Sequence, residues 1–129
     1  MSHKSKGINA ERELIHLFWN NGWSACRVAG SGSIKYPCPD VIAGNNIRKL
    51  AVECKVTKDI RQYLTKKEVQ ELAEFSRIFG AEPWIGVKFN NIDWYFLTLE
   101  DLKHTEEGHS VSLENAKRKG LLFLELIKK

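Results

Sequence analysis

The alternation over residues 50–56 constrains this chain more than any other segment. Leu50, Val52, Cys54 and Val56 fall on one face of an extended strand, and Ala51, Glu53, Lys55 and Thr57 on the other. Burying the first face makes Glu53 and Lys55 project together from the second. Just upstream, Val41, Ile42 and Ala43 are apolar and Gly44, Asn45 and Asn46 are turn formers, so the two runs read as strand, turn and strand. Pro39-Asp40 stands at the start of the first strand, and the hairpin register decides what Asp40 meets. A loop over residues 45–48 opposes Asp40 to Glu53. A two-residue turn at Asn45-Asn46 opposes it to Ala51, diagonal to Glu53, and a three-residue loop sends it to the other face.

In the first two registers two carboxylates and an ammonium converge. Like charges opposed across strands repel, so the arrangement favours a cation between Asp40 and Glu53. Carboxylate oxygens with no thiolate or imidazole cluster suit a hard ion, Mg²⁺ or Mn²⁺. A divalent metal beside a lysine is the arrangement of phosphodiester chemistry. The same spacing also fits a solvated Asp at a strand start and a surface Glu/Lys pair, and the register separates the two. Glu11 adds a further acid. A first helix over residues 6–21, stopped by Gly22, has Ile8, Leu14, Ile15, Leu17 and Phe18 as its apolar positions, and Glu11 lies on that inward stripe. It reads either as an acid favoured by the helix dipole and reaching to solvent or as a third group aimed at the metal.

At 129 residues the chain is read as one domain, 1–129, large enough for a real core. Its composition, 43% hydrophobic and 28% charged, is that of an ordinary globular protein, and the net charge of +4 suits a polyanionic partner. The first seven residues are polar and basic, which excludes a secretory signal and leads to the expectation of a cytoplasmic protein. The apolar run over 121–127 is too short to cross a bilayer, so no membrane role is expected. Cys26, Cys38 and Cys54 are odd in number and widely spaced, which fits reduced buried thiols rather than disulfides, and no histidine pairs with a cysteine at zinc spacing.

Along the chain, residues 23–28 read as a strand, and the small-residue loop 29–33 leads through Pro37 and Pro39 into Asp40. Arg27, just before the loop, is placed to fork a phosphate or to pair with a surface acid. Residues 57–64 read as a polar, basic connection. Thr65 with Glu68 forms a capping box, opening a helix that runs to Phe79 and stops at Gly80, with Val69, Leu72, Ala73, Ser76 and Phe79 as its stripe. Two strands, 84–89 and 94–99, follow, joined by a turn over 90–93. Their aromatics on both faces call for a second covered surface, either a dimer interface or a terminal helix. Residues 99–103 read as a short helix and 104–110 as a loop; 121–126 is a strand or a helix.

Several motifs recur together. Lys6-Gly7, Ala10-Glu11-Arg12-Glu13-Leu14, Arg27-Val28-Ala29-Gly30-Ser31, Pro39-Asp40, Glu53-Cys54-Lys55, Glu74-Phe75-Ser76 and Val87-Lys88-Phe89 stand in order over about the first three-quarters of the chain. In this the chain resembles the archaeal Holliday junction resolvases of the restriction-endonuclease-like, PD-(D/E)xK nuclease superfamily. The resemblance implies an α/β fold with a central mixed β-sheet flanked by helices, a homodimer, magnesium dependence with manganese as a substitute, and paired cuts across a four-way DNA junction. It places Glu11, Asp40, Glu53 and Lys55 at the family's catalytic positions, the first three toward metal, and matches Ser31 to the serine of the family's loop, with Ser33 as the other candidate. Arg12 and Arg27 match basic positions, and Lys4 and Lys6 would join them in gripping phosphates, so that binding weakens steeply with salt. A sliding clamp or a branch-processing helicase is the kind of partner implied. A restriction-type or mismatch-nicking enzyme of the same superfamily, an RNA-processing nuclease and a catalytically silent junction-binding protein are the alternative readings.

Overall fold

The computed structural model describes residues 3–28 and 35–128. A helix α1, His3–Asn20, is followed by strands β1, Ser24–Arg27, β2, Val41–Gly44, β3, Lys49–Thr57, and β4, Arg61–Thr65. Helix α2, Lys66–Phe79, leads to β5, Glu82–Phe89, and β6, Trp94–Leu97; after a 3-10 turn at Leu99–Asp101 come β7, Lys103–Thr105, β8, Gly108–Ser112, and helices α3, Leu113–Lys119, and α4, Phe123–Lys128. Five strands form one sheet in the order β1-β2-β3-β5-β6. Its β3–β5 pair is parallel and its other pairs antiparallel, so the sheet is mixed, as the resemblance implies. A separate antiparallel sheet, β4-β8-β7, accounts for parts of the chain read from sequence as a connection and a loop.

The β2–β3 register pairs Val41 with Val52, Ile42 with Ala51, Ala43 with Leu50 and Gly44 with Lys49, leaving the loop 45–48. Asn45 sets that length: its Oδ1 accepts from the N–H groups of Ile47 at 2.8 Å and Arg48 at 2.7 Å, an Asx turn closed by Asn45 N–H to Arg48 C=O at 3.0 Å. Arg48 then anchors the loop, with its guanidinium on both Glu82 oxygens at 2.8 and 2.9 Å and on the Leu126 carbonyl at 2.7 Å.

Each face of the main sheet is buried. Leu14 and Phe18 of α1 and Phe123 and Leu126 of α4 pack on Val41, Val52, Trp84 and Phe96. On the other face Val69 and Leu72 of α2, Leu64 of β4, Val111 of β8 and Ala116 of α3 cover Ala51, Ile85 and Val87. The terminal helix thus covers the surplus aromatics: Phe123 meets Phe18 and Phe96 edge-on, with ring centroids at 5.0 and 6.3 Å. Residues 121–126 resolve into both elements weighed for them. Leu121 exchanges a pair of 2.8 Å backbone hydrogen bonds with Phe96, and a helical turn follows at once.

Helix ends follow the sequence signals. Gly22, at φ 81°, closes α1, with Trp23 N–H returning to the Phe18 carbonyl at 3.0 Å. Thr65 and Glu68 form the reciprocal capping box of α2, and Gly80 at φ 84° ends it. Phe79, expected on the inward stripe, is exposed and stacks on Phe75 with ring centroids at 5.1 Å. Of the three thiols only Cys54 is buried; Cys38 is half-buried and Cys26 exposed, since β1 is an edge strand. No described helix is long and apolar enough to cross a membrane.

Candidate active site

Extending the β2–β3 ladder by one residue puts Asp40 opposite Glu53, the register that a 45–48 loop demands. Asp40 stops the ladder by substituting a side chain for backbone. Its N–H donates to the Val52 carbonyl at 3.1 Å, its own carbonyl accepts from Val28 N–H at 2.8 Å, and its Oδ2 accepts from Cys54 N–H at 2.9 Å. Two neighbouring segments, β3 and the residue after β1, therefore hold the Asp40 backbone, and the Cys54 N–H fixes its carboxylate. Glu53 is half-buried on the same side, and its carboxyl is pushed up to about 8, first by burial and then by the charge of Asp40, while Lys55 draws it back. Cys54, between them, is buried on the opposite face, where burial pushes its thiol well up and leaves it out of ligand chemistry.

Glu11 approaches from α1, on the other side of the sheet. It pairs with Arg27 of β1 at 3.5 Å, and burial followed by the Asp40 charge raises its carboxyl against the pull of that arginine. Asp40 is thus the centre of the acidic groups, acting on Glu53 on one side and on Glu11 on the other. Among the described residues no three His, Cys, Asp or Glu side chains are drawn together closely enough to hold a metal. Arg27 offsets the Glu11 charge, while Glu53 shares a hydrogen bond with Asp40. The donor set itself fits a hard divalent ion: oxygen ligands only, one of them a half-buried carboxyl that burial and the Asp40 charge push up to about 8.

Lys55 projects with Glu53, as the alternation requires, and its ammonium is bound by Glu68 of α2. Burial works to raise Glu68, but the hydrogen bonds from Lys55 and from the Thr65 N–H outweigh it and hold that carboxyl below its usual value. Glu68 is the site residue that reading the sequence missed. Its position three after Thr65 identified it as a helix cap, and only the packing of α2 beside β3 turns it toward Lys55.

The basic residues divide. Arg12 is exposed on α1 and Arg27 is committed to Glu11. Lys6 meets Lys58 across a cleft of about 250 Å³ that Asn9 and Asn90 also line, and contact with that second ammonium lowers the Lys6 pKa. Ser31 and the side chain of Lys4 lie outside the described residues.

A model of the family described as archaeal Holliday junction resolvase (hjc) matches residues 2–129. The chain belongs to this family. The match extends beyond the three-quarters over which sequence motifs are recognisable and takes in the small sheet and both terminal helices. Among resolvase relatives, the crossover junction endodeoxyribonuclease Hjc of Archaeoglobus fulgidus is 40% identical over 129 residues, which is 95% of each chain. That of Methanocaldococcus jannaschii is 38% identical over 91 residues, 70% of this chain and 65% of the relative. Sulfolobus acidocaldarius Hjc is 32% identical over 130 residues, covering 99% and 90%. The solved structure of Archaeoglobus fulgidus Hjc, a Holliday junction resolvase, superposes with a TM-score of 0.87 at 36% identity over 96% of this chain and 97% of that one. The mixed sheet flanked by helices is thus the resolvase fold.

Proposed function

We propose that residues 1–129 form a single nuclease domain that resolves four-way DNA junctions by paired, symmetric, Mg²⁺-dependent hydrolysis of phosphodiesters in recombination and repair, with Mn²⁺ as a substitute ion. The observation that carries the chemistry is Asp40 set opposite Glu53 on the face that also presents Lys55. The substrate follows from membership of the family and from relatives named crossover junction endodeoxyribonucleases. DNA-directed work of this kind belongs in the cytoplasm.

Asp40 and Glu53 would hold the metal, with Glu11 joining as Arg27 turns from it to a phosphate. When bound, the ion would supply a bound water of lowered pKa and charge neutralisation on the phosphate oxygens. Asp40 would contribute a carboxylate whose direction is fixed by the Cys54 N–H, and Glu53 a second, half-buried one. Lys55 offers an ammonium to the charge that develops on the phosphate. Lys4, Lys6, Arg12 and Arg27 would bind flanking phosphates, and Ser31, matched to the family's serine, would join the catalytic groups. These contacts read backbone rather than bases, so selectivity rests on junction shape. A homodimer would present two such sites to two strands of like polarity. A sliding clamp or a branch-processing helicase is the class of protein that would recruit it.

End-labelled four-way junction, linear duplex and structured RNA, each with and without Mg²⁺ and resolved on a denaturing gel, test the reading. Symmetric nicks in the junction alone are expected. Preferential cutting of duplex would favour a restriction-type or nicking enzyme, cutting of RNA an RNA-processing one, and binding without a product a silent junction-binding protein.

A further inference from the structure

Lysine is a flexible four-carbon stem ending in a point charge, and nothing in strand β3 fixes where that charge sits beyond the face it leaves from. Catalytic charge must be placed to a fraction of an ångström to be effective. The described contacts of the Lys55 ammonium lead to Glu68, and Glu68 is itself immobilised. One of its oxygens, Oε1, accepts from the Thr65 N–H at 2.9 Å, while the Glu68 N–H donates to the Thr65 hydroxyl at 3.0 Å. The other oxygen, Oε2, takes the Lys55 ammonium. A single carboxylate therefore closes the capping box of α2 and grips the lysine of β3, with both side chains of the ion pair only about a quarter exposed.

We propose that Glu68 is the positioning residue for Lys55, coupling the start of α2 to the site. The proposal rests on the reading of Asp40, Glu53 and Lys55 as the active site and deepens it. Capping alone does not account for the arrangement: a capping box needs only an acceptor at that position, which glutamine supplies as well as glutamate. The negative charge is surplus to the cap and is spent on the lysine. The described hydrogen bonds of the Glu68 carboxylate go to Thr65 and Lys55, so it acts through Lys55.

Glu68→Gln separates the two roles, because it retains the acceptor and removes the charge. The single-turnover rate on a four-way junction at saturating Mg²⁺ is expected to fall about 10- to 100-fold, the usual loss when a supporting partner of a catalytic group is removed. The melting temperature and the junction affinity measured in EDTA should match those of the unaltered protein. An unchanged rate would reduce Glu68 to a helix cap, and a fall in melting temperature parallel to the fall in rate would make its role structural; either overturns the proposal. Adding Glu68→Gln to Lys55→Ala should cost nothing further in residual rate, and a second loss of the same size would show that Glu68 does not act through Lys55. The parent reading fails separately: it falls if Lys55→Ala cuts junctions normally, whereas an inactive Lys55→Ala beside a fully active Glu68→Gln sinks the role of Glu68 alone.

Discussion

Glu53 sits where burial and the Asp40 charge favour its protonated form, so its carboxyl titrates at about 8 when folded and near the ordinary carboxylate value when unfolded. Between those values the unfolded chain has released the proton and the folded chain retains it. Raising the pH across this window therefore favours unfolding, by up to about 1.4 kcal/mol per unit. The stabilising contribution is complete below the unfolded value and is lost as pH rises through about 8. Chelator-treated protein should melt progressively lower from pH 5 to pH 8, while Glu53→Gln, which has no proton to lose there, should show a shallower decline; parallel melting curves would contradict the shift. Mg²⁺ should flatten the wild-type curve by stabilising the charged form. The proposed site makes the same residues responsible for turnover. Asp40→Asn and Glu53→Gln should each abolish junction cleavage and leave junction binding in EDTA largely intact, because neither removes a basic group. Electrophoretic mobility shifts alongside cleavage gels would measure both, and equal loss of the two would mean that the carboxylates shape the binding surface.

At the scale of elements, the small β4-β8-β7 sheet deserves a role because it sets the start of α2. Gly108 pairs with Thr65, the residue that caps that helix. A Cβ at Gly108 would stand 2.4 Å from the Leu64 carbonyl oxygen and 3.2 Å from the Lys66 backbone nitrogen, and backbone cannot step aside as a flexible side chain can. Gly108→Ala should therefore destabilise the protein by about 1–3 kcal/mol through steric overlap, read as a lowered thermal midpoint. Its residual folded fraction should also cut slowly, since separating β4 from β8 moves Glu68 from Lys55; wild-type stability would mean that the strands part at no cost. This sheet was invisible in the sequence for a physical reason. In β4 only Leu64 is buried, and β7 has no buried residue, so no alternation marks either strand. The β2–β3 hairpin was legible because one face of β3 is wholly apolar and inward, which forces a period of two. Its register was not, because the Asn45 side chain, rather than any hydrophobic pattern, chooses a 45–48 loop over a two-residue turn. Glu11 was found by its stripe, but its engagement with Arg27 depends on α1 lying across β1, a tertiary relation that no local pattern carries.

At the scale of the whole molecule, every acid of the candidate site and its lysine come from one chain. Glu11 arises from α1, Asp40 from the entry to β2, and Glu53 and Lys55 from β3, with Glu68 supporting from α2. Lys55 and Glu68 are paired within the same chain, and Glu11 with Arg27 likewise. In a homodimer each protomer would then cut independently, and the two-fold axis would only bring two finished sites to two strands. Heterodimers assembled from differently tagged wild-type and Glu53→Gln chains provide the measurement. On a junction labelled on two opposing strands, they should nick one strand per binding event and release few resolved duplexes, while their affinity stays that of the unaltered protein. Failure to cut either strand would mean that the site is shared between protomers. Efficient paired cutting would mean that one active centre serves both strands in turn, and would remove the need for a two-site dimer.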